Sequence, residues 1–307
     1  MPASPTDLFQ ASRKRLQRIA YRMLGSTEEA EEVVQDVWLR WHEIHDPAAA
    51  FDKPEAWLVT TTTRLAIDRL RMAKVRREQY PGLWLPEPQL SDSPPTPEQV
   101  LGRADDISMA FLFMLERLAP EARAAFLMRE VFDADYDEVA SVIGKSEAAC
   151  RQLVHRAKKQ LREAEGPRQT VTPETHRRVM ERFVAAMQTG DIAGLKSMLA
   201  PEAELLGDGG GKVPSFGKPL EGAQRIAQLF FASALRYGER QKIQLAVINE
   251  TWGVLRFIDG VLESAQAFEM AGDRIVRIHV QRNPDKLARV GAAWRVMEEA
   301  RVGPGKT

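Results

Sequence analysis

Apolar positions recur every three or four residues from the start of the chain to about Gln79. Leu16, Ile19, Ala20, Met23 and Leu24 form one helical stripe, and Gly25 is placed to end it. Ser26 with Glu29 has the spacing of a capping box and opens a second helix. Its stripe is Val33, Val34, Val37, Trp38, Trp41 and Ile44, while Glu31, Glu32, Gln35, Asp36, Arg40 and Glu43 fall away from it. A loop carrying His45 and Pro47 follows. Asp52 with Glu55 then predicts the cap of a third helix, with Pro54 in its first turn where a missing N–H does no harm. That helix passes Trp57, Leu58, Leu65 and Leu70 into the basic cluster Arg69, Arg71, Lys74, Arg76 and Arg77.

The helical period then stops. Pro81, Pro86, Pro88, Pro94, Pro95 and Pro97 forbid a continuous helix or a central strand, so 81–107 is expected as a semi-rigid, acidic linker. Four helices are predicted beyond it: 108–118, 120–130, 136–143 stopping at Gly144, and one N-capped by Ser146 in which Cys150, Leu153, Val154, Ala157 and Leu161 share a face. The last two, joined by a short Gly-containing turn, make a helix-turn-helix pattern. After Gly166-Pro167 the pattern changes again. Thr172-Pro173 starts a helix with Val179, Met180, Phe183, Val184 and Met187 inward, and Asp191 caps another through Leu199. Strands are expected at 242–249, 252–258, 261–270 and 275–281, the last three separated by the hairpin signals Asp259-Gly260 and 271–274. Helices followed by an antiparallel meander imply an α+β sandwich with helices on one sheet face. The expected divisions are therefore a helical domain at 1–80, the linker 81–107, a helix-turn-helix domain at 108–166, a short linker 167–172 and an α+β domain at 173–307.

With 307 residues the chain has room for two or three domains. Its 43 Lys+Arg balance 43 Asp+Glu, which excludes a uniformly basic coat but not a basic face offset elsewhere. The single cysteine, Cys150, excludes an internal disulfide and a zinc site of paired thiolates, and is expected in the core. His42 and His45 have helical spacing but no firm acidic partners, so no metal or cofactor is expected. The longest apolar run, 109–115, is far short of the ~20 residues that span a bilayer, and the first ten residues are too polar for a secretory signal. A cytoplasmic protein without membrane contact is expected.

The chemistry concentrates on two helices. The last helix of the helix-turn-helix carries Arg151, His155, Arg156, Lys158, Lys159 and Arg162 with no acid between Arg151 and Arg162. Because its apolar face serves the core, the cations point outward, where Arg can read guanine edges and Lys can hold phosphates. A merely solvated charged face is the bland alternative. The third N-terminal helix combines Trp57, the run Thr60 to Thr63, Arg64, Asp68, Arg69 and Arg71. Threonines are poor helix formers, and hydroxyls with guanidinium groups beside an aromatic suit opened single-stranded DNA. Trp57 as a plain core residue is at least as good a reading.

Three strings, AEEVVQDVWLRWHE, FDKPEAWLVTTTTRLAIDRLR and LERLAPEARAAFLMREVFDADYDEVASVIGKSEAACRQLVHRAKKQLR, resemble a bacterial RNA polymerase sigma factor of the compact extracytoplasmic-function (ECF) group. The resemblance covers most of residues 8–165. It implies two all-α sigma domains, the second a helix-turn-helix, with core RNA polymerase (clamp helices and flap) and promoter DNA as partners. It implies that Asp36, Trp38 and Arg40 dock on the polymerase clamp helices. It implies that the loop 45–52 and a helix bearing Trp57, Thr61, Arg64, Asp68, Arg69 and Arg71 recognise and melt the −10 element. Ser146, Glu147, Arg151, Gln152, His155, Arg156 and Lys159 would read the −35 element. Many relatives have an Asn where this chain has its threonine run, which leaves the −10 base preference open.

From Pro173 the chain resembles SnoaL-like domains of the nuclear-transport-factor-like superfamily, an α+β cone around an apolar pocket. With WLPEP (Trp84, Leu85, Pro86, Glu87, Pro88), DGGGK (Asp208, Gly209, Gly210, Gly211, Lys212) and NPDKL (beginning Asn283, Pro284, Asp285) it resembles the ECF subgroup bearing this extension. The resemblance implies regulation in cis, with no separate anti-sigma protein. The residues permit a latch: glycines allow close backbone approach, the prolines hold the linker extended, Trp84 burial supplies affinity, and Lys212 could pair with Glu87. A plain flexible loop is the alternative for DGGGK. DGGGK lacks the first glycine and the Ser/Thr of a P-loop. Asp208, Glu263 and His279 are the acid/base candidates for an enzymatic pocket, where His279 is more simply a hydrogen-bonded structural imidazole. The competing class is thus an enzyme or ligand sensor on a DNA-binding module, with a small molecule in the C-terminal pocket.

Overall fold

The structure is a computed structural model and describes residues 4–44, 50–91, 107–165 and 171–302. The loop expected at His45 and Pro47, and the linker residues Asp92, Pro94, Pro95, Pro97, Glu98, Asp105 and Asp106, lie outside the described residues. The chain forms two compact units: Met1–Gln79 with Met114–Glu165, and Tyr80–Phe113 with Gly166–Thr307. The described residues of the stretch expected as a linker, 81–91 and 107, therefore belong to the C-terminal unit.

The first unit is all helical. It begins with α1 (Pro5–Leu24), α2 (Thr27–His42) and α3 (Pro54–Glu78). Gly25 ends α1 at φ 66°, its N–H bonding Tyr21 O, as its freedom to adopt the left-handed region requires. Ser26 caps α2 by accepting from the Glu29 N–H, and the Glu29 carboxylate pairs with Arg76. The cap expected from Asp52 is absent: Lys53 is the N-cap of α3, without a side-chain bond, and Pro54 already removes one donor that a cap would satisfy. Leu16, Ile19, Met23, Val33, Val37, Trp41 and Leu58 pack into one buried core. After α4 (Met109–Leu115), of which only Met114 and Leu115 belong to this unit, come α5 (Pro120–Glu130), α6 (Tyr136–Ile143) and α7 (Glu147–Glu165). Ala125, Met128, Val139, Val142, Val154 and the free Cys150 form their core, as the apolar face of α7 requires.

The second unit is an α+β cone. Helices α8 (Pro173–Thr189) and α9 (Ile192–Met198) lead into β2 (Leu199–Asp208), β3 (Leu220–Glu221) and α10 (Ala223–Tyr237). The meander β4 (Gln241–Ile248), β5 (Thr251–Ile258), β6 (Val261–Ala271) and β7 (Arg274–Gln281) follows, then α11 (Pro284–Val302). The four meander strands agree with the expected ones to within a residue at each end. With β1 (Leu90–Ser91) the sheet order is β1-β4-β5-β6-β7-β2-β3. All pairs are antiparallel except β2 with β7. Register shifts at Arg256/Phe257 and Glu269/Met270 mark β-bulges, which bend strands. Val179, Met180, Phe183, Ile226 and Phe230 pack with Leu205, Phe268, Ile278 and Val280 on one sheet face.

The expectation of helices on one face only is corrected. Leu287, Val290 and Trp294 of α11 cover the opposite face with Leu206, Leu255, Phe257, Ala265 and Ala267. Leu85 joins that second core at 0% exposure, a burial worth about 1.5–3 kcal/mol. Strands buried on both faces need apolar cover twice, so a one-sided helical layer could not have closed this fold.

Candidate functional site

Helix α7 presents the basic surface. Ser146 accepts from the Ala149 N–H at 3.3 Å and starts the helix. Cys150, Val154, Ala157 and Leu161 face the core, and this phase leaves Arg151, Gln152, His155, Arg156 and Lys159 exposed together. Arg151 is steadied by Glu147 (2.8 Å) and lies over the Tyr136 ring (4.8 Å), while Lys158 is drawn to Glu130 (2.6 Å). A preorganised guanidinium on an exposed helix edge suits base and phosphate contacts.

Helix α3 is more committed. Trp57 is half-buried, stacked on Phe51 (5.3 Å) and tilted against Trp41 (5.6 Å), so it serves an aromatic cluster. Thr61, Thr62 and Thr63 are buried; the Thr62 and Thr63 hydroxyls donate to Leu58 O (2.8 Å) and Val59 O (2.9 Å) in their own helix. Thr62 and Thr63 thus satisfy their own hydroxyls and do not offer them to a nucleic acid, a correction to the expectation for these two residues. Within the same unit Arg64 donates to Ser141 O (2.6 Å) and Val142 O (3.2 Å), carbonyls in the last turn of α6. Arg71 pairs with Glu121 (2.5 Å) and Asp68 (3.0 Å), and Arg77 pairs with Glu116. Hydrogen bonding to Arg71 holds the Glu121 carboxyl below its usual range.

On α2, Asp36 accepts from Arg69 at 2.8 Å, and Arg69 also bonds Glu32. Trp38 is half-buried between Phe9 (4.8 Å) and His42 (5.4 Å), and Arg40 is exposed. Asp36 and Arg40, four residues apart, share one face of α2, whereas Trp38, two residues from each, lies on another, so the helix does not bring the three together.

The strings WLPEP, DGGGK and NPDKL meet in the C-terminal unit at Asp208, which is fully buried. Its Oδ1 accepts from the Tyr80 hydroxyl (2.7 Å) and the Gly210 N–H (2.9 Å). Its Oδ2 accepts from the Leu85 N–H (3.0 Å), Gln281 Nε2 (3.2 Å) and Lys286 Nζ (2.7 Å). Lys286 also donates to Leu85 O (2.7 Å) and sits over the Trp84 ring at 4.2 Å. Burial first, then the bond to Asp208, pushes the Tyr80 phenol up, so it remains a donor. Gly210 and Gly211 adopt φ 62° and 70°, and a side chain there would strike Asn283 and Pro81 respectively. Asn283 donates to the Tyr80 hydroxyl (3.0 Å) and caps α11, accepting from the Asp285 N–H (3.1 Å), with Pro284 in its first turn.

Two expected details are corrected. Leu85, Pro86, Glu87 and Pro88 are the buried linker residues, whereas Trp84 is only half-buried and serves as a lid over an ammonium group. Lys212 pairs with Asp285 (2.5 Å), not Glu87, which lies 3.8 Å from Arg289. Farther on, the fully buried Asn249 accepts from the Gln89 N–H (2.9 Å) and donates to Ile107 O (2.9 Å), so one side chain grips the linker on both sides of its undescribed part. Tyr80, Lys286, Gln281 and Asn249 were missed by sequence reasoning. Lys286 is the fourth residue of NPDKL, one turn from Asn283, and that spacing was the available signal.

The acid/base candidates are not brought together. Asp208 is consumed as above, His279 is buried against Glu269 (2.6 Å), and Glu263 bridges Arg256 (2.5 Å) and Arg282. Burial pushes the Glu263 carboxyl up, but the two guanidinium groups outweigh it and hold it low. No cluster of metal-ligating residues occurs among the described residues, and none of their helices is long and apolar enough to cross a membrane.

A helical unit bearing an exposed basic recognition helix, joined to an α+β cone, defines a DNA-binding transcription protein. Residues 8–76 match the family Sigma-70 region 2, and residues 108–161 match Sigma-70, region 4. The chain is 35% identical to the ECF RNA polymerase sigma factor SigJ of Mycobacterium tuberculosis over 292 residues, 91% of this chain and 92% of that protein. It is 31% identical to the probable ECF sigma factor SigI of the same species, covering 91% and 93% of the two chains. The crystal structure of M. tuberculosis SigJ superimposes with a TM-score of 0.73 at 32% identity, over 92% of this chain and 98% of that one. The chain belongs to the ECF RNA polymerase sigma factors, which bind core RNA polymerase and direct it to promoter DNA.

Proposed function

We propose that this sigma factor is regulated in cis by its C-terminal cone, which fixes the linker between the two sigma segments. The observation that carries this reading is Asp208: a fully buried carboxylate binds the linker at Tyr80 and Leu85 while a lysine of α11 neutralises it. Such a group is costly to bury unless paired, so the linker and the cone stabilise one another. The reading makes a separate anti-sigma protein dispensable, assigns the chain no catalytic step and places it in the cytoplasm beside polymerase.

Within the sigma segments, Ser146, Glu147, Arg151, Gln152, His155, Arg156 and Lys159 are assigned to the −35 element. Trp57, Arg64, Asp68, Arg69 and Arg71 are assigned to the −10 element, with Thr61 left out because it is buried. Asp36, Trp38 and Arg40 are assigned to polymerase. Arg64 and Arg71 are occupied by partners within their own unit, which supports weak DNA binding by the isolated chain.

The test is run-off transcription with core polymerase, comparing the full chain, a chain with residues 208–212 replaced by serines, and a chain ended after Glu165. Altered output from both changed chains is expected. Parental output from both would end the regulatory reading while leaving the family assignment intact.

A further inference from the structure

The concave side of the cone holds a cavity of about 560 Å³, within the size range of small-molecule sites. Its walls are apolar and partly aromatic: Leu205, Phe216, Leu229, Phe230 and Tyr237. Its charged lining is one-signed. Arg236, Arg256 and Arg282 line it, and no acidic residue does so among the described residues. Glu263 behind the wall balances only one of these charges, because Arg256 and Arg282 share it. Arg236 and Arg256 lie over the Tyr237 ring at 5.4 and 5.7 Å, which holds their charge at the cavity wall.

The second observation lies on β6. Gln266 is 2% exposed and lines the cavity, its Nε2 donates to the fully buried Ser264 (3.2 Å), and its Oε1 is buried without a partner. Turning the amide over would leave the nitrogen orphaned instead, so one polar atom lacks a partner in either orientation. A buried polar atom left unpaired is costly, and a hydroxyl, which both donates and accepts, satisfies either orientation.

We infer that this cavity is a binding site for a hydroxylated aromatic carboxylate, its hydroxyl on Gln266 and its carboxylate toward the arginines. Aromatic walls favour a ring by offset or edge-to-face packing. Fixed guanidinium groups favour an anion over its neutral ester. The inference does not rest on the regulatory reading, because binding is measured without polymerase or DNA.

Isothermal titration of the full chain with para-hydroxycinnamate tests it, with cinnamate lacking the hydroxyl and the methyl ester of para-hydroxycinnamate lacking the charge. One-site saturation is expected, and loss of either group weakens binding about tenfold. Gln266→Leu should erase the preference for the hydroxyl while keeping cinnamate binding. Ala232→Trp, at an exposed lining position of α10, should block the cavity and abolish binding with an unchanged circular dichroism spectrum. The inference is overturned by absence of saturation for all three probes to about 1 mM, where contributions below roughly 4 kcal/mol would go unseen. It is equally overturned if the Ala232→Trp chain binds like the parent, which places the probe outside the cavity, or if the ester binds as tightly as the acid, which removes the arginines from recognition.

Discussion

Replacing Lys286 by Met keeps the aliphatic stem and removes the cation that touches Asp208. In the parent, Lys286 Nζ lies 2.7 Å from both Asp208 Oδ2 and Leu85 O, and its side chain is 14% exposed against 0% for Asp208. Breaking a buried pair from one side typically costs about 3–5 kcal/mol. Four donors remain on Asp208, from Tyr80, Gly210, Leu85 and Gln281, which places the loss near the lower end, about 3 kcal/mol. At about 2–4 °C per kcal/mol for a unit of this size, calorimetric melting of the C-terminal unit should fall by roughly 6–12 °C. The molecule has one escape, release of the linker from the cone, which limits the loss to the free energy of that contact. In that case melting falls less, and proteolysis within residues 80–91 accelerates. Asp208→Asn combined with Lys286→Met removes both charges and should recover more than half of the loss, a coupling that additive sites do not show. Unchanged melting together with unchanged proteolysis in the single variant would refute the account of Asp208 as the anchor.

Asn249 has φ 49°, and its side chain serves the Gln89 N–H and Ile107 O, so Asn249→Ala should destabilise the C-terminal unit by about 2–4 kcal/mol in urea unfolding. Asn249→Gly, which relieves the backbone but not the lost bonds, should be milder by about 1 kcal/mol. Glu121→Ala leaves Arg71 only its exposed partner Asp68 and should raise the salt-dependent affinity of the isolated chain for mixed-sequence DNA by a few fold in fluorescence anisotropy; unchanged affinity would show that Glu121 does not occupy Arg71 in solution. Burial holds the His176 imidazole down at about 4, below the usual 6.5, so the folded unit keeps it neutral. The unfolded chain takes up that proton first, so the contribution of His176 is intact above pH 6.5 and is lost on acidification towards about 4. His176→Phe should flatten the stability profile in that window by at most about 1.4 kcal/mol per pH unit.

Local signals carried the helical half well. Gly25, Gly144 and Ser146 end or start helices where their backbone and side-chain chemistry says they should, and the α7 stripe fixed which of its residues are exposed. The meander was equally legible, because Asp259-Gly260 at φ 51° and 78° is the turn that hairpin twist demands. The failures have a common cause. Strand β2 contains Pro201 and lies between β7 and β3, and its register with β7 shifts between Leu199 and Glu204, around that residue. Proline demotes a run that only long-range pairing with β7 rescues. Helix α11 buries just Leu287, Val290 and Trp294 in the second core, a narrow stripe whose partner face is invisible without the sheet. Lys212 and Glu87 were misassigned because Asp285 and Arg289, far away in sequence, are the partners that the fold brings near them.

The site follows the same division. Three short strings far apart in sequence converge, yet the strongest member, Lys286, is marked only by its charge and its place one turn after Asn283. Its importance comes from burial: a surface Lys–Asp pair contributes little, and the same pair beneath Trp84 with a fully buried carboxylate is costly to break from one side. Lys212, with its exposed partner Asp285, is the contrast within a single motif. Regulation of the promoter-recognising segments through the cone would therefore act through Asp208, Lys286 and Asn249, which hold the linker from beneath. The more conspicuous charges at the rim could be exchanged with little consequence. A sequence motif marks where the chain must pass close to itself, and the energy of that passage is set by the neighbours the fold supplies.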